Sequence, residues 1–172
     1  MKKTRVLVFM SLLISMNVLL THAVPVIKTD IGRVSFGFIP LSLSSMLFGP
    51  VIGGLGGALS DIIGMIIAPK GPYFPGFTVN AFLSGATYGL FLYKKHKNMT
   101  RIILAVLCVS VFINIGLNTY WLTILTGKGY IAMLPLRIIQ NIITTIIQII
   151  VIPVVWRLVG KSVEDGILRQ PA

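Results

Sequence analysis

Charge is scarce in this sequence, and acidic residues are almost absent. Only 11% of the 172 residues are charged, whereas 55% are hydrophobic. A soluble domain normally carries about 25% charged residues. A globule of this length has too much surface for its volume to hide so many apolar side chains. The composition therefore excludes a soluble enzyme and a disordered chain, and it indicates a membrane protein.

Clusters of metal-binding side chains and nucleotide-binding motifs are also missing. The single cysteine, Cys108, lies in an apolar run, which excludes a disulfide framework and a thiolate metal cluster. Neither His22 nor His96 has an acid beside it, and no H-E-x-x-H motif occurs. The Gly-Lys-Gly at 127–129 lacks the spacing and the Ser/Thr of a Walker motif. We expect no enzyme activity, cofactor or metal in this chain, and any use of ATP requires a partner.

Six apolar runs, separated by charged or glycine- and proline-rich connectors, are present instead. A helix needs about 20 residues to cross the hydrocarbon of a membrane. The runs cover 6–24, 36–48, 51–68, 77–93, 102–125 and 131–158. The second is short and contains Pro40, so we expect a proline-interrupted helix that protein covers at membrane depth. The prediction is an all-α integral membrane protein, one domain over 1–172 with six transmembrane helices.

The first run admits a second interpretation, because a secretory signal peptide also begins with basic residues followed by an apolar segment. The run is about as long as a full span, however, and no A-x-A cleavage pattern stands near Ala23. We therefore interpret it as a retained helix.

The basic residues predict the orientation, because Lys and Arg prefer cytoplasmic loops. With the N-terminus inside, ten of the fifteen basic residues lie at cytoplasmic ends. These are Lys2, Lys3, Arg5, Lys94, Lys95, Lys97, Arg101, Arg157, Lys161 and Arg169. Both termini are then cytoplasmic, and the net charge of +11 reflects topology rather than nucleic-acid binding.

Small residues recur at spacings of three and four, which allows helices to approach closely in lipid. Those on the third helix are Gly49, Gly53, Gly57, Ser60 and Gly64, and those on the fourth are Gly85 and Gly89. We expect them to pack inside this chain. Ser11 and Ser15 differ, since the first helix has few other small residues, and that face suits a partner protein.

Polar residues within the apolar runs are the strongest functional signal, because such groups are costly at membrane depth and usually face a cavity. They are Asp61, then Asn114, Asn118 and Trp121 on the fifth helix, and Arg137, Gln140, Asn141, Thr144 and Gln148 on the sixth. Two explanations stay open. These residues line a ligand cavity, or they form hydrogen bonds between helices, including an Arg137–Asp61 pair.

The outer loops add cations and aromatic rings on the same side as Arg137. Arginine binds carboxylates through paired hydrogen bonds, aromatic faces stack on flat rings, and Asp or Asn accepts from ring N–H groups. The ligand-binding candidates are Arg33, Asp61, Lys70, Tyr73, Phe74, Asn114, Asn118, Trp121, Arg137 and Asn141. We expect a flat, hydrogen-bonding heterocycle with at least one carboxylate, which enters from outside.

The most specific motifs lie between residues 36 and 93, about a third of the chain. They read Phe38-Ile39-Pro40, Met46-Leu47-Phe48-Gly49-Pro50, Gly56-Gly57-Ala58-Leu59-Ser60-Asp61 and Pro69-Lys70-Gly71-Pro72-Tyr73-Phe74-Pro75-Gly76-Phe77-Thr78. This stretch resembles the folate-family substrate-binding (S) components of energy-coupling factor (ECF) vitamin transporters. The loop at 69–78 is the most specific part of the resemblance.

The resemblance implies a six-helix subunit of the bacterial cell membrane that binds folate from outside with high affinity. It also implies a membrane coupling subunit and two ATP-binding-cassette ATPases as partners, and a toppling motion that turns the loaded site toward the cytoplasm. The family's docking face, alanine-x-x-x-alanine on the first helix, corresponds to Ser11 and Ser15.

Charge and position suggest roles for several candidates in binding folate. Arg33, Lys70 and Arg137 are candidates for the glutamate tail, and Asp61 or Asn118 for the pterin ring. Two alternatives remain: the same architecture with another carboxylated vitamin, or a membrane scaffold or enzyme that binds no small molecule.

Overall fold

The computed structural model describes residues 3–23, 28–29, 32–33, 35–69, 71–95, 98–127, 129–160 and 163. These residues are almost entirely helical. The helices are α1 (Lys3–Val18), α2 (Phe38–Phe48), α3 (Pro50–Ile67), α4 (Pro75–Leu92), α5 (Met99–Cys108), α6 (Asn118–Thr126) and α7 (Tyr130–Val155). Three π-helical segments, Leu19–Ala23, Val109–Leu117 and Trp156–Gly160, extend α1, join α5 to α6 and extend α7. Two-residue strands, β1 (Lys28–Thr29) and β2 (Gly32–Arg33), form one antiparallel pair.

Three continuous helical stretches of the described residues are long and apolar enough to cross a membrane. They are Pro50–Ile67, Met99–Thr126 and Tyr130–Gly160. Along α7, Ile138, Ile142, Ile146 and Ile150 form a stripe in which each side chain is 40–58% exposed. An apolar stripe of this kind, left unpacked by the protein, is suited to lipid. The chain is therefore an all-α multi-pass membrane protein, and its helices follow the predicted apolar runs to within about three residues.

The short second helix is covered by protein, as predicted. Nine of its eleven residues are buried. The hydroxyls of Ser42, Ser44 and Ser45 donate to carbonyls of their own helix, at 2.8–2.9 Å. These buried hydroxyls therefore need no hydrogen-bond partner on another helix. The predicted interruption at Pro40 is not confirmed. Pro40 is the third residue of α2 and lies in its first turn. Backbone N–H groups in the first turn have no partner within the helix, so a proline there costs no hydrogen bond.

Helices α3 and α4 touch backbone to backbone along a row of glycines, which we call the glycine seam (Gly53, Gly57, Gly85 and Gly89). A Cβ on Gly85 would collide with the Gly53 carbonyl, and one on Gly57 would lie 2.5 Å from the Ala81 carbonyl oxygen. The prediction that these glycines pack inside the chain is confirmed. The seam fixes α3 and α4 against each other, and both helices contribute walls to the cavity described next.

Candidate ligand-binding cavity

A cavity of about 590 Å³ lies between the helices, and residues of α1, α2, α3, α4, α6, α7 and the central π segment line it. The 71–74 loop also lines it, so the cavity reaches the end of the bundle where α3 is connected to α4. Pockets for small molecules usually measure about 300–1,000 Å³ and combine apolar walls with a few placed polar groups. This cavity has the size and the composition of a small-molecule site.

Most of the predicted site residues converge on this cavity. Those that line it are Asp61, Tyr73, Phe74, Asn114, Asn118, Arg137 and Asn141. Lys70 lies outside the described residues. Arg33 belongs to β2, but its side chain lies outside what the structure describes. Trp121 is placed behind the cavity wall rather than on it.

The half-buried Arg137 lines the cavity, and its guanidinium has no hydrogen bond or ion pair with any residue that the structure describes. The alternative Arg137–Asp61 pair is not formed. The Asp61 carboxylate instead accepts a hydrogen bond from Thr78, at 2.8 Å. A cation that is partly removed from water at membrane depth is costly when it has no counter-charge. This arrangement is suited to a ligand that brings its own negative charge.

Asp61 is held by a chain of hydrogen bonds that runs to the loop. Oδ2 of Asp61 accepts from Thr78 Oγ1, and Thr78 Oγ1 lies 3.0 Å from the Tyr73 hydroxyl. Because an ionised carboxylate only accepts, Thr78 donates to Asp61 and accepts from Tyr73. Within the described part of the chain, Oδ1 of Asp61 has no protein donor, so it is available to a ligand.

A second chain of hydrogen bonds centres on Asn80, which the sequence analysis missed. Asn80 is 6% exposed and lines the cavity from α4. Its Oδ1 accepts from Trp121 Nε1 at 3.3 Å, and its Nδ2 donates to Asn118 Oδ1 at 3.5 Å. Asn80 is a strongly polar residue inside the fourth apolar run. The criterion that selected Asn118 would have selected it too.

Trp121 supports the wall of the cavity from behind. Its ring centroid lies 5.6 Å from that of Phe74, and a Cβ on Gly76 would lie 2.6 Å from the indole. The ring thus packs closely over Gly76 while its N–H is bonded to Asn80. This packing fixes Phe74 and Asn80, which do line the cavity.

Other polar residues mainly hold the helices together. Asn141 Nδ2 donates to the Ser110 carbonyl at 2.8 Å, and the Tyr88 hydroxyl donates to Gln148 Oε1 at 3.1 Å. Both explanations given for the polar positions therefore apply, but to different residues. Asn141 and Gln148 form hydrogen bonds between helices, whereas Arg137 faces the cavity without a partner among the described residues.

Comparison with known proteins identifies the class. Residues 5–156 match the family model "ECF transporter, substrate-specific component". The chain belongs to this family, and the resemblance found in its motifs is confirmed.

Individual relatives are closely similar over most of their length. The chain is 42% identical to the folate transporter FolT of Clostridium novyi (strain NT) over 161 residues, which cover 94% of this chain and 93% of that protein. It is 32% identical to the folate transporter FolT of Leuconostoc mesenteroides subsp. mesenteroides over 152 residues, 85% and 81% of the two chains. A crystal structure of FolT bound with folic acid matches with a TM-score of 0.79 and 42% identity, over 88% of this chain and 90% of that one.

Proposed function

We propose that this chain is the substrate-binding (S) component that captures folate from outside the cell for ATP-driven uptake by an ECF transporter. The observation that carries the proposal is Arg137, a cation that lines a cavity of vitamin size without a counter-charge among the described residues. The similarity to proteins named folate transporter supports folate among the carboxylated vitamins.

The chemistry of folate is complementary to the groups around the cavity. Folate consists of a flat pterin ring and a benzoyl-glutamate tail with two carboxylates. Arg137 binds a tail carboxylate through its two-pronged guanidinium, and Arg33 and Lys70 add positive charge.

Asp61 and Asn118 contact polar atoms of the pterin, while Asn114 and Asn141 complete the polar lining. Tyr73, Phe74 and Trp121 provide aromatic surface, the last acting through Phe74.

The proposed membrane arrangement follows from length and charge. Residues 1–172 form one domain with six transmembrane helices, the second one short, in a bacterial plasma membrane with both termini cytoplasmic. The cavity then opens outward. The chain carries out no catalysis and holds no cofactor; two ATPases and a membrane coupling subunit supply the energy for uptake.

We propose that the coupling subunit docks on the face of α1 that carries Ser11 and Ser15. Both serines are exposed, and their hydroxyls donate to carbonyls of their own helix at 2.9 Å, so the face offers no unsatisfied polar group. Together with Val8, Leu12, Met16 and Leu19 they line a shallow groove. An apolar helix of the partner fits such a surface.

The proposal is tested by purifying the protein in detergent, denaturing it and recording the ultraviolet spectrum of what is released. We expect a pterin chromophore, and saturable one-to-one binding of folic acid to the emptied protein by calorimetry. Biotin, which has a carboxylate but no pterin, is the control and should give no heat. A protein that releases no chromophore and gives no heat with folic acid would contradict the proposal.

A further inference from the structure

The two hydrogen-bond chains leave a hydrogen-bond donor on one cavity residue, Asn118, and an acceptor on another, Asp61. The indole N–H of Trp121 can only donate, so the atom of Asn80 that faces it is Oδ1. The Nδ2 of Asn80 therefore points to Asn118 and donates to its Oδ1. Asn118 lines the cavity, and with its Oδ1 engaged its NH₂ is the group left to donate to a ligand. Asp61, held by Thr78, presents the acceptor Oδ1.

We propose that Asn80 is a positioning residue that sets ring selectivity. It keeps Asn118 in the orientation that donates to the ligand, so the cavity prefers a ring with a hydrogen-bond acceptor at that position. This inference rests on the proposed function, and it identifies the 4-oxo oxygen of the pterin as that acceptor. The neighbouring N3–H and 2-amino groups then donate to Asp61.

The inference predicts discrimination against the 4-amino analogue of folic acid. In that analogue an NH₂ donor replaces the oxygen, and N3 loses its hydrogen. The 4-amino group of the analogue then faces the NH₂ of Asn118, so two donors meet. Its N3, which carries no hydrogen, faces the carboxylate of Asp61, so two acceptors meet. A site that leaves buried polar groups unpaired rejects a ligand strongly, so we expect the unmodified protein to bind folic acid at least about tenfold more tightly.

The sharpest test is Asn80→Asp, a nearly isosteric change that inverts the polarity. The new carboxylate still accepts from Trp121, but it also accepts from Asn118, whose NH₂ turns toward it and whose Oδ1 turns toward the cavity. We expect the ratio of the two dissociation constants to shift by roughly tenfold or more in favour of the 4-amino analogue. Both ligands carry the same glutamate tail, so repulsion between the tail and the new charge cancels in the ratio, and the two uncharged variants described next leave no new charge to act on the ring.

Two further variants remove the constraint without inverting it. In Asn80→Leu nothing orients Asn118, and in Trp121→Phe nothing orients Asn80, so in both the ratio should move toward one. Calorimetry in detergent gives both dissociation constants. A ratio that stays within twofold of the unmodified protein in all three variants overturns the inference, as does an unmodified protein without preference. Failure of the unmodified protein to bind folic acid would instead contradict the proposed function.

Discussion

Arg137 combines three properties at the scale of a single residue: positive charge, partial burial, and a position on the cavity wall without a protein partner among the described residues. Sequence reasoning found it because a basic residue within an apolar run is rare. It left the Arg137–Asp61 pair open, because spacing along two separate helices does not show which side chains meet.

Replacing Arg137 with alanine should weaken folic acid binding more than about tenfold, because a charge-assisted contact in a partly desolvated site is lost. Arg137→Lys keeps the charge but loses the paired geometry, so its loss should be smaller. Calorimetric titration measures both. Arg157→Ala, at an exposed position away from the cavity, is the matched control. An affinity within twofold of the unmodified protein for Arg137→Ala would contradict the assignment.

Thr78 tests the chain that holds Asp61. Thr78→Val keeps the shape but removes the hydroxyl between Tyr73 and Asp61, leaving one carboxylate oxygen unpaired. We expect folic acid binding to weaken about tenfold or more, which corresponds to roughly 1.5 kcal/mol for a hydrogen bond to a charged group. Thr78→Ser retains the hydroxyl and should bind nearly as the unmodified protein does. Equal affinities for the Val and Ser variants would show that the chain does not orient Asp61.

At the scale of elements, the helices were predictable and their irregularities were not. Apolar length and the glycine- and proline-rich connectors indicate where a helix lies, so the boundaries agree closely. The π geometry of Val109–Leu117 leaves no comparable signal. Nothing in the sequence indicates that the Ser110 carbonyl accepts a hydrogen bond from Asn141, because that contact depends on how two distant helices pack.

The glycine seam gives a prediction for stability. Gly85→Ala puts a methyl against the Gly53 carbonyl, so the helices have to separate, and we expect destabilisation by about 1–3 kcal/mol with a lower melting temperature in detergent. Gly116→Ala is the control, because its Cβ would meet only the Val111 carbonyl oxygen, at 3.6 Å. If the two variants have the same melting temperature, the close approach of α3 and α4 is not needed for stability.

The α1 face gives a prediction for assembly. Phenylalanine at both Ser11 and Ser15 fills the groove, so the coupling subunit should no longer copurify, whereas folic acid binding should stay within twofold of the unmodified protein. Leu104→Phe on α5, at a position 49% exposed and outside the groove, is the control for added bulk. An intact complex with the double variant would place the docking face elsewhere.

At the scale of the whole molecule, the distribution of charge predicts the orientation. Among the described residues, Lys94, Lys95 and Arg101 in the connection of α4 to α5, and Arg157 beyond the C-terminal end of α7, are exposed at the end opposite the 71–74 loop, as lysines and arginines at cytoplasmic ends would be. In a Cys108→Ser background, Gly129→Cys should react with an impermeant maleimide added to intact cells, whereas Lys95→Cys should react only after permeabilisation. Gly129 has open space around its Cβ position, and Lys95 is exposed. The reverse labelling pattern would show that the orientation is inverted.

Backbone contact along α3 and α4 leaves no layer of side chains between them that can repack. Asp61, Thr78 and Asn80 all belong to this pair, so the seam holds these three residues at fixed positions relative to one another. Arg137, in contrast, lines the cavity from α7, which is not part of the seam. The spacing between the Asp61 carboxylate and the Asn80 amide is therefore a property of two helix backbones, and it does not depend on how neighbouring side chains repack.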